Sequence, residues 1–151
     1  MAIALSTAGI KVKYAASAVG AARPTSGYTE ISGITSIPEF NPEPANLDCT
    51  PLAETAYHQF IPGLKDLGSA IGLTANMTQS FKTAWAALVT AYSNGASDIW
   101  FEYTVPDMSD SFYFTGAPVD LGFGGAEVDS VLQNTAYIMP AKVTGWSTKS
   151  T

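Results

Sequence analysis

The residues that could do chemistry are few in this sequence, and their spacing fits no catalytic pattern. The chain has one histidine and one cysteine. His58 could be placed in a Ser-His-Asp triad with Asp48 or Asp66, but no G-x-S-x-G turn is present to expose a nucleophilic serine. We therefore expect no catalytic residues, and we interpret His58 as a structural or interface residue.

Metal and phosphate sites are no better supported. One histidine, one cysteine and scattered carboxylates lack the paired spacings of a zinc or calcium site. Asp107 and Asp110 share a loop, but it lacks the alternating oxygen ligands and the glycine of a calcium loop. The glycines from Gly122 to Gly125 lead to Glu127 and not to a helix carrying a lysine, so they do not predict a phosphate-binding loop. We expect no metal ion and no cofactor.

The charges are unevenly distributed along the chain. The formal net charge is −6, which argues against a protein that binds nucleic acid by neutralising phosphates. No lysine or arginine occurs between Thr83 and Ala141, whereas seven carboxylates do: Asp98, Glu102, Asp107, Asp110, Asp120, Glu127 and Asp129. We expect these residues to form an acidic surface, and a face that only confers solubility is an equally weighted alternative.

Length and composition favour one domain over residues 1–151, with a flexible start and a flexible tail from about 146 to 151. Only 13% of the residues are charged, so we expect partner subunits to cover much of the surface; a merely neutral small domain is the alternative. The single Cys49 precludes an intrachain disulfide, which is consistent with folding in a reducing cytoplasm. Neither a signal peptide nor a membrane anchor is expected.

One segment, about residues 77–93, has the periodicity of a long helix. Its apolar residues recur at spacings of three and four, which predicts a core face that includes Phe81, Trp85, Leu88, Val89 and Tyr92. Asn76 is expected to cap the first turn together with Gln79, and Asn94 and Gly95 to end the helix. Because the rest of the chain reads as strands, this face is expected to lie on a sheet.

The remaining segments alternate between apolar and polar residues or carry turn signals. We expect strands over Ala8–Ala15, Tyr28–Ile37 with a bulge at Gly33, Ser69–Ala75, Ile99–Val105, Ser111–Phe123 and Glu127–Val143. Glu39–Asn46 is expected to be a stiff, proline-rich loop. The predicted fold is therefore mainly β, an antiparallel sandwich or barrel with one flanking helix. The aromatic residues between 100 and 114 are interpreted as sheet core or interface and not as a base-stacking platform.

Several motifs, taken in order, resemble the major tail tube proteins of long, non-contractile-tailed bacteriophages. An Asp-x-Thr turn and a Pro-Gly-Leu-x-Asp strand start precede the amphipathic helix, and a strand-turn-strand unit follows it. The residues that carry the resemblance are Ile31–Phe40, Leu47–Leu52, Phe60–Gly68, the helix and Trp100–Val119. The type VI secretion tube protein is similar in plan, more distantly. The longer members carry an appended immunoglobulin-like domain, which is not expected in these residues.

The resemblance implies a virion protein that assembles in the host bacterial cytoplasm. It implies a β-sandwich that forms hexameric rings, with the sheets of six subunits closing one barrel and the rings stacking into a hollow tail tube. DNA would pass through the lumen during ejection without specific binding. The other partners would be the tail tip, tape measure and tail terminator proteins.

The resemblance also implies roles for particular residues. Because a tube that lets DNA pass should repel phosphate, the acidic residues named above are expected to include those that line the channel. Long loops would contact the next ring, through Glu39, Phe40, Pro42, Glu43, Pro44, Asp48, Thr50, Tyr57 and His58. The alternative from another class is a monomeric β-sandwich that decorates the virion or binds as an adhesin-like module. An enzyme ranks third, because no catalytic constellation is present.

Overall fold

The computed structural model describes residues 4–95 and 97–151, so the expected flexible start at residues 1–3 lies outside the described part. The chain forms two compact units, Glu39–Ser69 and the remainder. One helix and nine strands occur among the described residues: β1 Lys11–Ala18, β2 Thr29–Ile31, β3 Ile34–Ser36, β4 Glu43–Asp48, β5 Phe60–Asp66, β6 Ile71–Asn76, α1 Gln79–Ser93, β7 Ser97–Thr104, β8 Asp110–Pro118 and β9 Gln133–Thr148.

The larger unit is built on one seven-stranded antiparallel sheet. Its strand order is β2-β1-β7-β8-β9-β6-β3. The two outermost strands, β2 and β3, follow each other in the chain and are separated only by Ser32 and Gly33. The sheet is therefore nearly closed into a barrel. This confirms the predicted class, mainly β and antiparallel with one helix.

The strand expected over Tyr28–Ile37 is in fact two short strands at opposite edges of this sheet. Gly33 has φ of +84°, a left-handed conformation that suits glycine and ends the first strand in a turn. The carbonyl of Gly33 accepts a hydrogen bond of 2.9 Å from the backbone N–H of Asn76, at the end of β6. A bulge at Gly33 was therefore the wrong prediction, because the chain turns there from one edge strand to the other.

The sheet has a dense apolar face. Alternate residues of β6, Ile71, Leu73 and Ala75, are buried, as their spacing predicts. On the paired strands β7 and β8, Phe101 lies opposite Phe114, and their ring centroids are 5.2 Å apart. Stacked and offset rings of this kind contribute contact energy beyond the area that they bury.

The N-cap of the helix lies two residues after the expected one. Thr78 is the N-cap, and its hydroxyl accepts a hydrogen bond of 3.2 Å from the backbone N–H of Phe81. Asn76 ends β6 and donates its N–H to Gly33, and Met77 donates its N–H to Leu132, so both residues are still bonded to neighbouring segments and the helix begins after them. The predicted end is confirmed: Gly95 follows the C-cap Asn94 with φ of +71°.

Three of the five predicted core residues of the helix are fully buried. Phe81, Trp85 and Leu88 are each 1% exposed, and the indole N–H of Trp85 donates to the carbonyl of Val119 at 2.8 Å. Val89 is half-buried. Tyr92 is 41% exposed, so its assignment to the core was wrong; it lies in the last turn, where a tyrosine can keep its hydroxyl in water.

The expected C-terminal tail is largely a strand. β9 runs to Thr148 and passes through Pro140 without interruption, because two register shifts in its pairing with β8 accommodate the irregularity. Trp146 lies opposite Phe112, with ring centroids 5.7 Å apart. The Ser/Thr/Lys composition of this segment gave no indication that it pairs with β8.

The smaller unit is a two-stranded antiparallel hairpin of β4 and β5, joined by residues 49–59. The loop expected over Glu39–Asn46 is thus strand from Glu43 onward. Prolines are tolerated in both strands, Pro44 in β4 and Pro62 in β5, because each strand of a two-stranded sheet has one edge without a partner. Among the described residues, no helix has the length and apolar character needed to span a membrane.

We expect Trp85→Ala to lower the free energy of unfolding by about 3–5 kcal/mol, because it leaves a cavity under the helix and removes a buried hydrogen bond. Tyr92→Ala, on the same helix but partly exposed, serves as the control and should change stability by about 0.5 kcal/mol or less. Chemical denaturation of both variants measures the difference. Equal stabilities would show that Trp85 does not anchor the helix.

Candidate assembly surfaces

The hairpin unit has no core of its own. None of residues 39–69 is buried, and six of its large apolar side chains are between 48% and 106% exposed: Leu47, Leu52, Tyr57, Phe60, Ile61 and Leu64. A lone two-stranded hairpin is marginally stable in water, and contiguous exposed apolar surface marks an interaction site. The hairpin is therefore the strongest candidate for a surface that another molecule covers.

The apolar side chains of the hairpin lie on both of its faces. Leu47 is paired with Ile61, and the next pair along the strands is Asp48 with Phe60. Directly opposite residues share a face, and successive residues point to opposite faces. Covering one face would therefore leave apolar surface exposed on the other.

Two carboxylates organise the loop between the hairpin strands. Asp48 accepts hydrogen bonds from the hydroxyl of Thr50 at 2.6 Å and from its backbone N–H at 3.0 Å. Glu54 accepts from the backbone N–H of Ala56 at 2.8 Å and of Thr55 at 2.9 Å. These donors stabilise the charged forms and hold the pKa of both carboxyls below their usual values.

The organised loop presents apolar side chains to solvent. Leu52 is 106% exposed and Tyr57 is 81% exposed. The Thr50 hydroxyl also accepts the backbone N–H of Gln59 at 2.7 Å, which joins the two ends of the loop. A loop held in one conformation loses less entropy when it binds than a mobile loop does.

All nine residues expected at a ring-stacking contact fall in this hairpin unit, but not at one place. Asp48, Thr50, Tyr57 and His58 lie in or beside the connecting loop, with Nδ1 of His58 3.8 Å from Oδ2 of Asp48. The other five, Glu39, Phe40, Pro42, Glu43 and Pro44, precede β4 or open it. The sequence analysis did not predict Leu52, Phe60, Ile61 and Leu64 as contact residues. They could have been found as apolar residues in a strand pair that is too small to bury them.

The seven acidic residues do not form one surface. Asp107 and Asp110 lie at the turn between β7 and β8, and Asp120, Glu127 and Asp129 lie in the connection from β8 to β9. All five are exposed, but they are separated by the nine residues of β8, a length of about 27 Å. Asp98 is half-buried, and its carboxylate accepts the backbone N–H of Gly20 at 3.0 Å.

Glu102 is buried, and its expected place on the acidic surface was wrong. Its side chain is 0% exposed. It accepts hydrogen bonds from the Ser150 hydroxyl at 2.6 Å, from the Ser150 backbone N–H at 3.1 Å and from the Tyr113 hydroxyl at 2.8 Å. Burial alone would raise the pKa of Glu102, but these donors outweigh it and hold the pKa below its usual value. Strand alternation cannot show this, because it does not reveal what covers the second face.

No arrangement for metal chemistry is found in the part of the chain that the structure describes. No three His, Cys, Asp or Glu side chains there lie close enough to hold a metal ion. A cleft of about 450 Å³ lies beside β9 and is lined mainly by glycine backbone and uncharged polar side chains, among them Gln133, Asn134 and Thr135. Cys49 is an exposed free thiol in the hairpin.

Comparisons with known proteins show a likeness of fold. No family model matches the sequence, and no curated protein matches it. The fold is similar to a chain in the cryo-EM structure of the anti-feeding prophage (AFP) baseplate, 6-fold symmetrised, with a TM-score of 0.63 at 10% sequence identity. The match covers 96% of this chain and 97% of that chain. At this identity the likeness shows a shared fold.

Glu102→Lys should destabilise the protein by about 3–5 kcal/mol, because it places an unpaired charge where the hydrogen bonds require an acceptor. Asp107→Lys, which makes the same change of charge at an exposed turn, should stay within about 0.5 kcal/mol of the parent. Thermal or denaturant unfolding measures both. If the Glu102→Lys variant is as stable as the parent, Glu102 is not buried and faces solvent as the sequence predicted.

Proposed function

We propose that this protein is a structural component of a phage tail or phage-like particle, and that it polymerises as stacked hexameric rings into a tail tube that forms the channel for DNA ejection. The hairpin of residues 39–69 carries the proposal. It exposes six large apolar side chains, on both faces, and buries none. Such a surface is accounted for if neighbouring copies of the chain cover it.

The structural likeness supports a place in a particle of this kind. The similar chain belongs to a structure described as a baseplate with six-fold symmetry, and the similarity spans nearly the full length of both chains. Six copies of one chain in a closed ring use one heterologous contact repeated around the axis. The likeness supports the particle and its symmetry; stacking into a tube rests on the hairpin and on the motif resemblance.

The edges of the seven-stranded sheet support joining of sheets between subunits. β2 pairs only with Val12, Lys13 and Tyr14 of β1, so no described strand lies beside Ala15 to Ser17 on that edge. β3 pairs with β6 only at Thr74 and Ala75. Uncovered strand edges invite pairing with another chain. In a ring, the stretches of β1 and β6 that β2 and β3 leave unpaired would meet neighbouring subunits, and the six sheets would close one inter-subunit barrel around the lumen.

The exposed carboxylates suit a channel for DNA. A wall rich in carboxylates repels phosphate, so DNA would pass through it without specific binding. One of the two exposed acidic groups, Asp107 with Asp110 or Asp120 with Glu127 and Asp129, would face the lumen. The loop of residues 49–59 would contact the next ring. Tail tip, tape measure and tail terminator proteins would bind the completed tube, which would assemble in the host bacterial cytoplasm.

Leu64→Asp should abolish assembly without unfolding the subunit. Leu64 is 91% exposed, so the new charge costs the lone subunit little, whereas it would be buried in every contact of the ring or tube. The concentration needed for assembly should rise at least ten-fold, since a buried leucine contributes about 1.5–3 kcal/mol. Light scattering and negative-stain microscopy measure mass and shape, and thermal melting measures folding.

Ala86→Asp, on the exposed face of α1, is the control for the added charge and should assemble as the parent does. Tubes of normal length from Leu64→Asp would remove the hairpin from the contacts. A parent chain that stays monomeric at millimolar concentration would contradict the tube and favour the monomeric decoration module.

Charge reversal should show which acidic group faces the lumen. Tubes of Asp107→Lys/Asp110→Lys and of Asp120→Lys/Glu127→Lys are compared for binding of short duplex DNA. One pair should bind, with an affinity that falls steeply as salt rises, because its lysines line a confined channel. If neither pair binds DNA inside intact tubes, the exposed carboxylates face outward and the acidic lumen is wrong.

A further inference from the structure

Two segments without strand or helix lie over one face of the β7–β8 pair. They are residues 20–28, between β1 and β2, and residues 149–151, after β9. The segments are joined to each other, because the backbone N–H of Thr151 donates to the carbonyl of Thr25 at 3.1 Å and the Thr151 hydroxyl lies 3.4 Å from the same oxygen. Together they form a clasp across the sheet.

The clasp is fastened to the sheet at a buried carboxylate. Glu102 of β7 receives both the backbone N–H and the hydroxyl of Ser150, at 3.1 and 2.6 Å. It is the one charged side chain among the described residues that is fully buried. The neighbouring Lys149 adds two contacts, from its N–H to Ser109 at 3.1 Å and from its ammonium to Val105 at 2.8 Å. Both of these acceptors are backbone carbonyls, so Glu102 is the titratable acceptor among the contacts of the second segment.

The surface beneath the clasp is polar, unlike the other face of the same strands. The Tyr113 hydroxyl lies 2.8 Å from Glu102, and the Arg23 guanidinium lies 4.1 Å from the centre of the Tyr113 ring. On the opposite face, Phe101 and Phe114 are fully buried. Water that enters under the clasp can therefore solvate a carboxylate, a phenol hydroxyl and a guanidinium, whereas the rings of Phe101 and Phe114 on the other face offer it no polar group.

The charged and titratable groups around Glu102 come from every element that packs there. Lys13 of β1 is its register partner, and Glu30 of β2 is the partner of Lys13. Arg23 and Tyr28 come from the first segment of the clasp, with the Tyr28 ring 5.9 Å from that of Tyr113. Lys149 comes from the second segment. The cationic groups near Glu102 all favour its ionised form.

We propose that the clasp opens as a local unit while the sheet stays folded, and that the Glu102 carboxylate is the latch that keeps it closed. A protonated carboxyl is a weaker acceptor, so protonating Glu102 releases Ser150 and with it the second segment. The hydrogen bonds hold the pKa of Glu102 below its usual value, so the clasp is closed at neutral pH and is released as the pH falls through that value. The proposal is independent of assembly into tubes.

Hydrogen exchange of individual backbone amides tests the latch, because it separates local opening from global unfolding. In the parent at pH 7, the amides of residues 149–151 should exchange faster than those of β8. Glu102→Gln keeps the size of the side chain but loses the charge, so it should accelerate exchange at Ser150 and Thr151 by about 10- to 100-fold and leave β8 unchanged. The ratio of variant to parent should fall towards one as the parent is acidified.

Two further variants keep the test decisive. Ser150→Ala leaves Glu102 in place and removes one donor, so it should accelerate the same amides by about ten-fold or less even if Glu102→Gln does not fold. Ser17→Ala removes the partner of the Trp100 indole on the same face of the sheet, 3.0 Å away, and should leave the clasp unchanged. The proposal fails if residues 149–151 exchange only together with β8, or if the ratio of variant to parent does not depend on pH.

Discussion

The closure of the seven-stranded sheet depends on a two-residue connection. A sheet has two edges, and here the strands that form them, β2 and β3, are separated only by Ser32 and Gly33. The left-handed backbone of Gly33 makes so short a connection possible. Its carbonyl also holds the N–H of Asn76 in the sheet. The next residue, Met77, donates its N–H to Leu132, and the N-cap of the helix follows at Thr78.

Closure gives the two faces of the sheet different chemistry. Phe101 and Glu102 are neighbours on β7 and both are fully buried, yet one packs among aromatic rings and the other receives three hydrogen bonds. A buried carboxylate is tolerated only where donors replace the water that it loses. Tyr113 and the residues after β9 supply those donors. The face that alternation marks as polar is thus an interior polar layer with segments of the same chain above it.

The two units differ in how far they bury their apolar side chains. The larger unit contains its own core, in which Phe81, Trp85, Phe101 and Phe114 are fully buried. In the hairpin unit, Leu47 and Ile61 point to one face and Phe60 to the other, and all remain exposed. Loop hydrogen bonds to Asp48 and Glu54 order the hairpin tip without burying it. A segment with an ordered backbone and exposed apolar side chains is typical of a surface that contacts another chain.

The sequence alone determined the features that depend on the spacing of neighbouring residues. The spacing of Phe81, Trp85 and Leu88 predicts the helix and its buried stripe, and the alternation in β6 predicts its buried face. Both are periodic features that neighbouring residues specify among themselves. The antiparallel, mainly β class followed from the same signals. The apolar residues of the hairpin were visible too, although a short apolar run does not reveal whether it will be buried.

Only the tertiary structure decided which segments meet. It separated Tyr28–Ile37 into strands on opposite edges, extended β9 through Trp146, and brought Ser150 to Glu102 from 48 residues away. It also divided the acidic residues among the two ends of β8 and the strand β7, where Glu102 is buried. These outcomes depend on contacts between residues far apart in the chain, and charge or hydropathy along the sequence carries no information about such distances. Burial, and with it the role of a charged side chain, is therefore set by the fold.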